Sequence, residues 1–191
     1  MNLQLGNAVV RVAPDATGFT VSGEDEVFGR FERMISAIPV VQARAMLADV
    51  LAPGAQAGPE MAPCWTLMAA FDHSSGVPVR DGLSLEPIAQ PGPPGRWVVH
   101  ARPEWSIANL QRPAEEVQAE LLAALQARLG LGAPLVAMVH RWLYARTVMP
   151  LGAPFHAAQG GRVLVGGDWG LGRDADHAFA SGAAMARAMM G

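Results

Sequence analysis

The stretch Arg162–Gly191 reads RVLVGGDWGLGRDADHAFASGAAMARAMMG, and the rest of the chain is organised around it. Val163-Leu164-Val165 is a short apolar run. Gly166-Gly167-Asp168-Trp169 follows, then Gly170-Leu171-Gly172, then a run of small residues that predicts a helix over Ala175–Met190. A strand, a glycine turn carrying one carboxylate and a helix start make a ligand-binding device. Glycine lets a backbone approach a ligand closely. A helix start presents unpaired N–H groups and the positive end of the helix dipole. Asp168 is placed to accept hydrogen bonds from hydroxyl groups.

Composition narrows the field. A chain of 191 residues supports one substantial core or two small ones. The net charge is −3 and the basic residues are scattered, so no nucleic-acid partner is expected. Charged residues make up 16% of the chain, against a usual value of about 25%. That fits an alanine-rich soluble protein, and equally a chain with apolar surface to cover in a homodimer or against another domain. No apolar run reaches the roughly 20 residues that span a bilayer, and Met1-Asn2-Leu3-Gln4 has no signal-peptide pattern. The single Cys64 forms no intrachain disulfide. A cytoplasmic protein without membrane contact is expected, with Cys64 a buried, inert thiol beside Trp65.

Read in order, Ala8–Ala13 and Phe19–Val21 predict strands around the turn at Pro14–Gly18. Val27–Gly29 and Arg33–Ala37 extend the meander. Val40–Leu51 predicts a helix opened by Pro39, with Val40, Ala43, Met46, Leu47 and Val50 on one face. Ala52–Pro63, with Pro53-Gly54, reads as a linker. Trp65–Phe71 predicts a strand with Trp65, Leu67, Ala69 and Phe71 on one side. Further strands are expected at Ser84–Ile88 and Arg96–Ala101, separated by the rigid turn Pro91–Gly95. Arg102–Ser106 reads as a structural turn with Trp105 half-buried. Pro113–Leu129 predicts a helix with Val117, Leu121, Leu122, Leu125 and Leu129 as its buried stripe. Leu135–Arg146 predicts a long strand. Leu135, Ala137, Val139, Arg141, Leu143 and Ala145 share one face, and Val136, Met138, His140, Trp142 and Tyr144 the other.

Two chemistries are set aside. Asp72-His73-Ser74-Ser75-Gly76 places three triad residue types in one turn, whereas triad members come from separate elements, and no G-x-S-x-G elbow is present. His73, His100, His140, His156 and His177 lack zinc-ligand spacing, so no metal is expected. Neither a Walker motif nor G-x-G-x-x-G occurs.

Gly167-Asp168-Trp169, with Ala178-Phe179 and Ser181-Gly182 on the following helix, resembles the C-terminal flavin-binding motif of the renalase-like, FAD-dependent amine-oxidase-type oxidoreductases. Ser36-Ala37-Ile38-Pro39, Cys64-Trp65, Ala101–Ser106 and His140–Ala145 fall in the order that resemblance requires. It implies an α+β fold with an antiparallel sheet: the substrate lobe of a flavin oxidoreductase over residues 61–159, and an incomplete FAD-binding lobe from residues 1–60 and 160–191. It further implies FAD as cofactor and a small-molecule substrate, an amine or a reduced nicotinamide, oxidised by hydride transfer to flavin. The cofactor-binding residues it implies are Gly167, Asp168, Trp169, Gly172, Ala175, Asp176 and His177. Asp168 would meet the ribityl chain or pyrophosphate, Trp169 the ring system, and the backbone around Ala175–His177 the pyrimidine edge. His140, Trp142 and Tyr144 either wall a flavin-facing substrate pocket or are ordinary large sheet residues. No catalytic residue is assigned. The strand–GxGxxG–helix element that opens such enzymes has no match here. FAD binding by this chain alone is therefore expected to be weak or absent, completed by a homodimer or a partner chain. A non-catalytic binding or oligomerisation module is the alternative.

Overall fold

The computed structural model describes residues 3–52, 58–72 and 95–191, together with the backbone of Glu86–Pro87. The chain forms two compact units. One is discontinuous, Met1–Met61 with Thr147–Gly191, and the other is Ala62–Arg146.

The discontinuous unit opens with an antiparallel meander, β1 Arg11–Pro14, β2 Phe19–Ser22 and β3 Val27–Phe31. Its first turn is locked by Asp15. That carboxylate accepts from the Thr17 and Gly18 backbone at 2.9 Å and takes a bidentate contact from Arg30, whose guanidinium holds Asp15 well below the usual carboxylate range. Val12 and Phe19 point inward and are fully buried. A second sheet has the order β4-β10-β9, with β4 at Met34–Ser36, β9 at Phe155–Ala158 and β10 at Val163–Gly166. β9 pairs with β10 antiparallel, but β4 and β10 run parallel, with Val165 opposite Ser36. Residues 147–159 belong to this unit because β9 is stitched to β10.

Helix α1 covers Val40–Met46, shorter than the sequence predicts, since Leu47 leaves helical geometry and turns follow. Its apolar face survives the shortening: Val40, Ala43, Leu47 and Val50 are buried with Val163, Val165 and Trp169 in one core. Helix α5 spans Ala175–Met190, as expected.

In the second unit, β5 (Glu60–Ala70), β6 (Glu86–Pro87), β7 (Arg96–His100) and β8 (Val136–Met149) form one sheet in the order β6-β7-β5-β8. The apolar face of β5 packs on α3, Ala114–Leu129. Trp65, Leu67, Ala69 and Phe71 meet Val117, Leu121, Leu125 and Leu129, with Leu122 partly buried beside them. Gly130 closes α3 at φ 64°, a left-handed conformation that glycine adopts without strain. Arg102–Ser106 is not a turn. Pro103 opens a helix, α2, over Pro103–Ala108, with Glu104 in its first turn. Proline at the first helical position was the overlooked signal. Ser106, fully buried, accepts from the Trp65 backbone N–H at 3.1 Å, and Trp65 Nε1 donates to the Asn109 carbonyl at 3.1 Å.

Pro53-Gly54, His73–Gly76, the turn Pro91–Pro94 and most of the strand expected at Ser84–Ile88 lie outside the described residues.

Candidate functional site

The terminal motif sits at the carboxyl ends of the parallel strands β4 and β10. Crevices at such ends are where open α/β sheets receive ligands. All four residues of β10 are buried. Gly167 then takes φ 157°, and a short helix, α4, covers Asp168–Leu171. Asp168 is partly buried at the head of α4. Its Oδ2 lies 3.5 Å from the Thr147 hydroxyl. The Ser36 hydroxyl, at the end of β4, is buried and has no hydrogen-bond partner among the described residues.

The other motif residues are tied into the protein. Trp169 is buried and its Nε1 donates to the Ile38 carbonyl at 3.1 Å, placing the ring in the core. The Gly167 N–H donates to Ser181 Oγ at 2.9 Å, and that hydroxyl donates to the Pro154 carbonyl at 2.5 Å. The glycines are demanded by protein neighbours. A Cβ on Gly166 would lie 2.6 Å from Ser181 Oγ, one on Gly170 would lie 2.7 Å from the Pro154 carbonyl, and one on Gly172 would strike the His177 ring. These positions let α5 and the Pro154 segment close on the strand; they do not frame an empty cradle.

At the start of α5, Asp174 is the N-cap. Its Oδ1 accepts from the His177 backbone N–H at 3.0 Å. The His177 Nδ1 sits 2.6 Å from the same oxygen, a charge contact without hydrogen-bond alignment. The His177 N–H, with the Asp176 N–H adding to it, holds the Asp174 carboxyl below its ordinary range. Of the three backbone groups the sequence assigns to a ligand, His177 and Asp176 thus serve the cap first, leaving Ala175. Along α5 only Ser181 and Met185 are buried. Gly182 faces open space, and Ala178 and Ala180 are exposed. One narrow stripe, rather than the whole small-residue face, makes the close contact.

His140, Trp142 and Tyr144 share a face of β8, and the first two rings meet edge-on with centroids 4.3 Å apart. The row is not enclosed within its unit: Trp142 is 52% and Met138 53% exposed. The opposite face packs inward only at Ala137 and Val139; Arg141, Leu143 and Ala145 are exposed. Arg141 lies over the Trp65 ring at 5.6 Å and donates to the Leu110 carbonyl at 2.6 Å. Cys64 is buried, with the Thr66 hydroxyl and His100 Nδ1 at 3.7 and 3.8 Å. Among the described residues no group of three or more His, Cys, Asp or Glu is placed to hold a metal ion, and no helix is long and apolar enough to cross a membrane.

For FAD the fit is partial. Asp168, a partly buried carboxylate, suits a hydroxyl-bearing chain. No glycine cradle for a pyrophosphate occurs among the described residues.

No protein-family model matches the chain. Solved structures similar to it include two oxidases. One is cyclohexylamine oxidase from Brevibacterium oxydans IH-35A, with a TM-score of 0.67 and 16% identity, covering 96% of this chain and 48% of that one. The other is named "Putative protoporphyrinogen oxidase", from Exiguobacterium sp. 255-15, with a TM-score of 0.64 and 16% identity, covering 95% of this chain and 45% of that one. The chain spans just under half the length of each. Nearly all of it therefore shares its fold with part of two proteins named as oxidases.

Proposed function

We propose that this chain is part of a flavin-dependent oxidoreductase of the amine-oxidase type. One observation carries the proposal: a strand–glycine–Asp168–helix arrangement at the carboxyl ends of parallel strands, in a fold shared over nearly the whole chain with two oxidases. Bound flavin supplies the hydride acceptor. Asp168 would accept from a hydroxyl of the bound group. The positive end of α5 favours negative charge nearby, through the Ala175 N–H that the Asp174 cap leaves free. Ser181 holds Gly167 and the Pro154 segment in place, so the turn is rigid before any ligand arrives. The substrate is a renalase-like one, an amine or reduced nicotinamide, with His140, Trp142 and Tyr144 as the candidate wall. Catalysis in such a site rests mainly on orientation.

Titration of the purified chain with FAD, read by flavin fluorescence quenching, tests this. Saturable quenching that Asp168→Ala weakens about 10-fold or more is the expected result, from the loss of a charge-assisted hydrogen bond. Saturable quenching that Asp168→Ala leaves unchanged refutes a flavin role for this turn; quenching that does not saturate shows that the chain alone does not hold FAD.

A further inference from the structure

β8 ends the sheet order β6-β7-β5-β8, and among the described residues no strand pairs with its far side. Over Val136–Arg146, the part inside the second unit, it holds no proline, lysine or acidic residue. Those residues are what keep a sheet edge from pairing with another chain. Arg141 does not guard the edge, since its guanidinium is laid over the Trp65 ring and bonded to the Leu110 carbonyl. Large apolar side chains stand exposed on both faces of the strand: Val136, Met138 and Trp142 on one, Leu143 on the other. The Leu135 N–H donates to the Ala70 carbonyl at 2.7 Å. Main-chain groups alternate in direction along a strand, so the odd-numbered residues turn theirs to β5 and the even-numbered ones, Val136 to Arg146, turn theirs outward.

That outward set matches itself about Trp142. An antiparallel second copy, related by a two-fold axis at that residue, sets Trp142 beside Trp142, His140 opposite Tyr144 and Met138 opposite Arg146. On the other face Arg141 meets Leu143, and Val139 meets Ala145. No arginine opposes an arginine, whereas an axis one residue earlier would set Arg141 against itself, and like charges directly opposite destabilise a pair. Aromatic pairs across strands add stability. The nine residues from Met138 to Arg146 exchange about ten main-chain hydrogen bonds in this register. They make a ladder roughly 30 Å long and about 10 Å thick. The section is about 300 Å² on each copy, below the roughly 800 Å² of a stable interface, which fits a reversible dimer rather than a permanent one.

We infer that the chain self-associates through β8, two copies pairing edge to edge about Trp142 so that their four-stranded sheets become one. The row His140, Trp142 and Tyr144 then runs on into the same row of the second copy, on one face of the joined sheet. The ladder needs no flavin, so its test stands apart from the FAD titration.

Sedimentation velocity of the full chain, from about 1 to about 200 µM, reads the association against a Kd on the order of 10 µM. The average mass rises from 20.1 kDa toward twice that value. By mass action, amide exchange across Met138–Arg146 slows about 5-fold over the same range. Trp142→Lys puts two ammonium groups face to face at the axis and raises Kd at least about 10-fold. Because Trp142 is half exposed, the variant melts within about 3 °C of the wild type at the lowest concentration. A mass that stays at one chain throughout overturns the inference, and would leave the edge to a strand of another polypeptide. Dimers whose β8 amides exchange at the monomer rate overturn it as well, as does a Trp142→Lys chain that melts like the wild type and dimerises with the same Kd. If Trp142→Lys does not fold, the exchange rates of the unaltered chain decide.

Discussion

Ser181→Ala is the sharpest perturbation available. Ser181 is fully buried, and its hydroxyl joins three segments: it accepts from Gly167 N–H and donates to the Pro154 carbonyl, while its own backbone belongs to α5. Alanine removes one oxygen atom and opens little space, so the packing contribution is small. Two backbone groups lose their partner. Each unsatisfied group costs about 1–3 kcal/mol when fully buried. Gly167 is only partly buried, so water recovers some of its share, and the net loss is about 2–4 kcal/mol. For a chain of this size, that lowers Tm by roughly 5–15 °C. Urea unfolding followed by circular dichroism should show a lower midpoint with an unchanged slope, and amide exchange should locate the loss in α5 and the Gly166–Trp169 turn. A cycle with Gly166→Ala sharpens the test. The added Cβ would lie 2.6 Å from Ser181 Oγ and 2.8 Å from the Met185 sulfur. Removing the hydroxyl relieves one of those clashes, so Gly166→Ala should be less damaging in Ser181→Ala than alone. A single-variant loss below about 0.5 kcal/mol, or strict additivity in the cycle, would refute the view that this hydroxyl seats α5 on β10.

The remaining predictions concern the other unit and the helix cap. Leu125→Ala, in the α3 stripe against β5, should cost about 2–5 kcal/mol by thermal or urea unfolding; the exposed Leu143→Ala should change stability by less than about 0.5 kcal/mol. Asp174 has a folded-state pKa below its unfolded value, so its stabilisation is present above the unfolded value, about 3.9, and is lost as pH falls through the folded value. Asp174→Ala should therefore lower the urea midpoint at pH 7, with the difference closing as pH drops below about 4; a gap that persists at pH 2 would show that the carboxylate is not the source.

The elements with strong local chemistry were legible in the sequence. α5 and α3 follow their periodicity, β7 falls where valines and a tryptophan follow a turn, and β5 was legible from Trp65 on, whereas its start at Glu60 lies in the stretch read as a linker. α2 was missed because six residues containing Trp105 and Ile107 carry little helical periodicity; only Pro103 marked the start. The parallel pairing of β4 with β10 was invisible, since partners more than a hundred residues apart share no local pattern. In the site, Asp168 was legible as a carboxylate in a glycine turn. The core position of Trp169 was not, because its distinguishing partner is the distant Ile38 carbonyl. Ser36 belonged to a noted stretch, but nothing local reveals that its hydroxyl lacks a partner.

The discontinuous unit has a consequence for how the protein is made. β4 is complete once residue 36 has been synthesised, but its partner β10 begins only at residue 163. At about 5–20 residues per second, the strand waits roughly 6–25 s on the ribosome. During that interval Val12, Phe19, Val40 and Leu47 have none of their later core neighbours from Val163 to Trp169. The intervening unit, Ala62–Arg146, is continuous and emerges in full before β10 does. The order of birth thus favours a folded middle flanked by an unfinished beginning, a stage at which a chaperone that shields short apolar segments would set the yield.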